Sequence, residues 1–230
     1  MTTISNRLQD ILATIQSAQA SSQFAQSVKL VAVSKAQPAS AIREAYQAGQ
    51  TIFGENYLQE ALDKQTQLTD LNIEWHFIGP IQSNKTQPIS QHFAWVHSVD
   101  RLKIAQRLNE ARPADLSPLQ VCIQVNVSNE DTKSGVFPDD LAALAAEIEK
   151  LPKLKLRGLM AIPAPTHDIN QQIAQFKRVR QCYDALLQKG FALDTLSIGM
   201  SDDYPVAIAQ GATFVRIGSA LFGARPRQAN

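Results

Sequence analysis

The chain has 230 residues, 44% of them apolar and 19% charged, with a formal net charge of +1. This is a globular composition with room for one large α/β domain or two small ones, and it carries no basic surplus for nucleic acid or an anionic membrane surface. The two cysteines, Cys122 and Cys182, lie in apolar runs and read as small core residues, not as a disulfide or a metal pair.

In chain order, Ile4, Leu8, Ile11, Leu12 and Ile15 recur at helical spacing and predict an amphipathic helix over 4–20. The opening MTTISNRLQD lacks the apolar stretch of a signal peptide. No apolar run is long enough to span a bilayer, so a reducing, cytoplasmic setting is the expectation. Strands and helices then alternate. Strand 30–33 leads to helix 39–48, for which Gly49 is a fitting end. Strand 51–53 leads through GENY to a helix ending near 68; strand 74–78 follows, and strand 95–99 leads to helix 102–111. Strand 119–127 precedes helix 139–150, strand 154–162 precedes helix 169–190, strand 195–200 precedes helix 204–210, and 213–218 is the eighth strand. Eight strands separated by crossovers predict an α/β fold, a single (β/α)8 TIM-like barrel with an extra N-terminal helix, over one domain, 1–230. A doubly wound open sheet is the alternative, but no glycine-rich dinucleotide loop follows strand one.

In such a barrel the residues past the C-terminal strand ends share one mouth. That rule collects Lys35 from strand one, Glu55 and Asn56 from strand two, His76 from strand three and Met160 from strand six. Strand seven adds Ser197, Gly199, Met200 and Ser201, and strand eight adds Arg216, Gly218 and Ser219. Loops seven and eight, SIGMSDD and RIGSALFG, offer glycine for close backbone approach and serine to donate, where barrels commonly hold phosphate. Arg216, inside the apolar FVRIG, needs a buried partner: a structural carboxylate or a ligand atom. A lysine on the rim of a buried strand is suited to attack a carbonyl. Facing an anion site, it suggests an aldehyde-bearing phosphate: pyridoxal phosphate, or a sugar phosphate in a Schiff-base aldolase. The four histidines show no metal-ligand spacing, and Ser34 has no visible base partner for a hydrolase triad.

The stretches LVAVSKAQP, FGENYLQE, WHFIGPIQSNK, VHSVD, GLMAIP and IGMSDDYPVAIAQGATFVRIGSALFGAR resemble the pyridoxal phosphate homeostasis proteins, single-domain relatives of the alanine racemase N-terminal barrel. The resemblance implies pyridoxal 5'-phosphate (PLP) held as an aldimine on Lys35. It implies a phosphate held by Ser201, Gly218 and Ser219 with Ser197 and Met200 close by, Arg216 at the pyridine nitrogen, Asn56 beside the ring, and His76 and Met160 at the mouth. It further implies a role in cofactor homeostasis, with apo-enzymes that need PLP as partners. An arginine at the ring nitrogen and the lack of a dimerising domain favour a monomeric, non-catalytic binder; a small racemase or aldolase is the alternative. Members often carry Thr-Lys after the aldimine lysine, where this chain has Ala36 and Gln37; Lys133 in TKSG fits the pattern of an accessory lysine.

Overall fold

A computed structural model describes residues 3–128 and 134–223; Lys133 lies outside the described residues. The elements run α1 (Ile4–Ala20), β1 (Lys29–Val33), α2 (Ala39–Gln47), β2 (Ile52–Glu55), α3 (Leu58–Gln67), β3 (Glu74–Phe77), α4 (Thr86–His92), β4 (Trp95–Val99) and α5 (Leu102–Ala111). They continue with β5 (Leu119–Gln124), α6 (Leu141–Glu149), β6 (Leu154–Met160), α7 (Ile169–Gln188), β7 (Thr195–Ser197), α8 (Tyr204–Ala209), β8 (Phe214–Ile217) and the short α9 (Ser219–Phe222). The eight strands are parallel and hydrogen-bonded in sequence order, and β8 pairs with β1 to close the barrel.

Each strand is buried on both faces, so the period-two alternation of side chains sorts residues between two apolar regions. In β1, Leu30 and Ala32 point outward to the helices, while Val31 points into the barrel with Trp95, Cys122, Met160 and Phe214. The outer region is the larger core, and α1 joins it through Ile4, Leu8, Ile11 and Ile15. Arg7 Nε of α1 also donates to the Leu221 carbonyl of α9 at 2.6 Å, which fastens the extra helix across the seam between β8 and β1.

Several predicted boundaries move, and α4 and the short α9 are new. Strand five ends at Gln124, not Val127, because the chain returns at Gly135 and Val136 to bond Asn126 N to Val136 O at 2.9 Å. Strand seven stops at Ser197 because Gly199, at φ +92°, turns the backbone away. Strand two begins one residue later and runs on to Glu55. Helix α4 was not expected, since Pro88 interrupts its sequence; Pro88 sits in the first turn, where its missing N–H has no helical partner to lose. Glycine is required at 158 in β6: a Cβ there would stand 1.8 Å from the Thr195 carbonyl oxygen of β7.

Candidate functional site

At the C-terminal end of the barrel a cavity of about 230 Å³ opens between the loops. Its walls include Lys35 and Gln37 after β1, Asn56 after β2, Ile78 after β3, Ile162 after β6, Met200, Ser201 and Asp202 after β7, and Arg216, Gly218 and Ser219 of β8 and its loop. Seven of the twelve residues that the strand-end rule collects therefore meet in one place: Lys35, Asn56, Met200, Ser201, Arg216, Gly218 and Ser219.

Lys35 stands between two pinned neighbours. Ser34, fully buried, donates its hydroxyl to Glu55 Oε1 at 2.6 Å. Lys64 Nζ of α3 donates to the Ser34 carbonyl and to Glu55 Oε1, both at 2.7 Å, and also to Glu60 Oε1. Glu60 Oε1 in turn accepts from Ala36 N at 2.6 Å. Ala36 has φ +60°, a left-handed conformation that costs a non-glycine residue about 1–2 kcal/mol. The Lys64 cluster holds that turn in place, which aims the following and preceding residues. Burial pushes the Glu55 carboxyl up, against the pull of Lys64 and Ser34.

Arg216 is buried and donates to carbonyls, not carboxylates. Its Nη1 reaches Ser197 O at 2.6 Å and Ser197 Oγ at 2.8 Å, and its Nη2 reaches Ala161 O at 2.9 Å. Those bonds occupy three of the five N–H donors of a guanidinium, and the side chain also lines the cavity. Burial lowers its pKa to about 10, with Asp203 pulling the other way, so the group is a cation at neutral pH.

Loops seven and eight are tied together where the anion site was expected. Ser201 Oγ accepts from Ala220 N at 3.3 Å, and Met200 N donates to Asp203 Oδ1 at 2.6 Å. Gly79 lets loop three lie against loop two: a Cβ there would come 2.2 Å from the Asn56 carbonyl oxygen. Asn56 Oδ1 is buried with no hydrogen-bond partner, a polar atom left for something in the cavity to satisfy.

Five sequence-derived positions do not line the cavity: Glu55, fully buried against Lys64, Gly199 at the turn after β7, and Ser197, His76 and Met160. Ser197 is fully buried behind Arg216, touching the guanidinium and not the cavity. His76 and Met160 are fully buried in the barrel interior. His76 stacks on Trp95 with ring centroids 5.3 Å apart, and Met160 packs in the cluster with Val31 and Phe214. The residues one pleat further along the same strands, Ile78 and Ile162, line the mouth instead. Sequence reasoning missed Gln37 and Asp202 in the walls, and it missed that Lys64 and Ser34 hold Glu55 in a buried cluster. Glu60 and Lys64, four apart on a polar helix, look like an exposed ion pair in sequence. Among the described residues no group of His, Cys, Asp and Glu is placed to hold a metal ion, and no helix is long and apolar enough to cross a membrane.

A closed parallel barrel whose C-terminal face brings Lys35, just after β1, and Arg216, of the neighbouring β8, to one cavity has the form of a barrel with its site at that face. Residues 7–226 match the model of the alanine racemase N-terminal domain. The chain is 60% identical over 226 residues to the pyridoxal phosphate homeostasis protein of Pseudomonas aeruginosa, covering 98% of this chain and 97% of that one. It is 52% identical over 201 residues to the protein of the same name from Escherichia coli K12, covering 86% of each. PipY of Synechococcus elongatus, solved with PLP bound, superposes with a TM-score of 0.85 at 40% identity over 96% of this chain and all of that one. An alanine racemase of Clostridium difficile 630 shares the fold, with a TM-score of 0.75 at 16% identity over 97% of this chain and 58% of that one. The chain belongs to the alanine racemase N-terminal domain family and, within it, to the pyridoxal phosphate homeostasis proteins.

Proposed function

We propose that this protein binds PLP in the mouth of the barrel, linked through Lys35, and serves to hold and hand on the cofactor rather than to turn over a substrate. The observation that carries this reading is the meeting of Lys35, Arg216 and the Ser201–Gly218–Ser219 cluster around one cavity, in a chain 40% identical to a PLP-binding neighbour. The residues fit the group: an amine for its aldehyde, an unpartnered Asn56 Oδ1 beside it, and two serines with a glycine for its phosphate. When bound, PLP supplies an aldehyde that captures amines and a ring that withdraws electrons when its nitrogen is protonated. Lys35 would hold the group at its aldehyde, and Ser201, Gly218 and Ser219 would hold its phosphate.

Arg216 favours the holding role over chemistry. A cationic guanidinium beside the ring would oppose protonation of the pyridine nitrogen, because two like charges would meet. Besides Lys35 and Arg216, the sole titratable side chain among the described lining residues is Asp202. On this reading residues 1–230 work as one monomeric barrel in the cytoplasm, and apo-enzymes that need PLP are its partners. The test is the visible spectrum of the purified protein with borohydride trapping. A coloured protein, a reduced label on the Lys35 peptide, and no turnover of amino acids support the reading. A label on another lysine only, or steady racemisation or aldol cleavage, overturns it.

A further inference from the structure

A chain of hydrogen bonds crosses the barrel interior from its N-terminal face to Arg216. Glu74 Oε1, at the start of β3 and half exposed, lies 2.8 Å from His76 Nε2. His76 Nδ1 lies 2.9 Å from His97 Nε2 of β4, His97 Nδ1 lies 2.8 Å from Ser197 Oγ of β7, and Ser197 Oγ lies 2.8 Å from Arg216 Nη1 of β8. Both histidines and Ser197 are fully buried.

Proton counting gives the chain one direction. Its two ends are fixed: a carboxylate only accepts, and a guanidinium only donates. The bond from His76 holds the Glu74 carboxyl below its ordinary range, and burial holds both histidines neutral. Glu74 therefore takes the proton on His76 Nε2, which makes His76 Nδ1 an acceptor. His97 must then donate from Nε2 and accept at Nδ1, so the Ser197 hydroxyl proton points to His97. That leaves the Ser197 lone pairs free to accept from Arg216 Nη1. Every donor points from Arg216 toward Glu74, and no buried polar atom of the chain is left over. Lys29 and Arg157 are the other charged groups that act on Glu74, and Asp203 and Cys122 act on Arg216.

We propose that Glu74, His76 and His97 are positioning residues for Arg216: through Ser197 they fix which lone pairs the guanidinium meets and so how its remaining donors face the cavity. This rests on the reading that Arg216 faces the ring of a bound PLP, but its first test does not. In cofactor-free protein labelled with 15N-histidine, NMR should find His76 and His97 each neutral with the proton on Nε2. Glu74→Lys replaces the terminal acceptor by a donor, so both histidines should change to the Nδ1–H form and the Arg216 guanidinium signals should shift. Glu74→Gln, which still accepts, should keep the wild-type tautomers. In loaded protein, Glu74→Lys should shift the visible band and weaken cofactor retention about tenfold, while Glu74→Gln matches wild type. Should Glu74→Lys fail to fold, Ser197→Ala cuts the chain at its other end; it should move the Arg216 signals and the band while His97 keeps its proton on Nε2. A wild-type protein with either histidine carrying its proton on Nδ1 overturns the relay. So do tautomers that reverse, or a cut at Ser197, without any change at Arg216. If no PLP binds, the functional reading fails while the cofactor-free spectra still decide the relay.

Discussion

Lys64 Nζ, buried on α3, donates to the Ser34 carbonyl at 2.7 Å, so a charged side chain thirty positions away grips the residue before Lys35. The same ammonium is the counter-charge of the fully buried Glu55. Lys64→Met would strand that carboxylate, and removing one partner of a buried pair costs about 3–5 kcal/mol. Urea unfolding should show this loss. Lys64→Met combined with Glu55→Leu should recover most of it, because the two buried charges then leave together and only the part-exposed Glu60 loses a partner. A single-mutant loss under about 1 kcal/mol would mean that the pair is not buried in solution.

The second prediction concerns the ligand's anionic end. PLP in excess should raise the melting temperature, since a ligand at about 100 times its Kd stabilises the fold by about 2.7 kcal/mol. Pyridoxal without phosphate should raise it far less. Ser201→Ala removes a hydroxyl that lines the cavity and bridges to Ala220, and should weaken PLP binding by about 1–3 kcal/mol, the scale of a hydrogen bond to a charged group. Equal shifts with PLP and pyridoxal would remove the anion site.

The mouth was legible in sequence where a strand end is sharp and blurred where it is not. Lys35 and Arg216 follow from the rule that barrel chemistry sits at C-terminal strand ends. His76 and Met160 are inward-facing residues of the right strands, but each lies one pleat too deep: two residues at about 3.3 Å each separate them from Ile78 and Ile162, which line the cavity. Periodicity tells which face a residue takes and not how far along the barrel axis it stands. The Lys64 cluster was invisible for another reason. Its ends, Glu55 and Lys64, lie on different elements, and only the packing of α3 against β2 makes a polar helix position buried.

Ala36 yields a third prediction. Its left-handed φ of +60° is free of strain only for glycine. Ala36→Gly should relieve about 1–2 kcal/mol of strain and lose about 0.4–1 kcal/mol to the greater freedom of the unfolded chain. The net result should lie between no change and a gain of about 1.6 kcal/mol. Ala36→Val adds a branched side chain to the same conformation and should destabilise. Thermal melts of both variants check the pair, and a clear loss in Ala36→Gly would show that the turn has another conformation in solution.

The last prediction is a pH dependence set by the buried histidine pair. Burial holds the pKa values of His76 and His97 below their ordinary value, so the folded protein keeps both neutral while the unfolded chain protonates them near pH 6.5. Below that pH the unfolded state binds more protons than the folded one, and stability falls with a limiting slope of about 1.4 kcal/mol per pH unit for each group. Their contribution is complete above about pH 7 and is lost as the pH falls from there toward the folded-state values. Glu74, held low by its bond to His76, adds a loss in the same direction, but only near the ordinary carboxylate range. Glu55, pushed up by burial, works the other way, since acid relieves its buried charge. Urea midpoints measured from pH 8 to pH 5.5 should therefore be flat at first and then fall. His97→Gln, with one histidine fewer to protonate on unfolding, should show a shallower fall than wild type, whatever its absolute stability. Parallel curves for the two proteins would mean that His97 titrates alike in the folded and unfolded states, which a fully buried neutral imidazole between His76 and Ser197 does not allow.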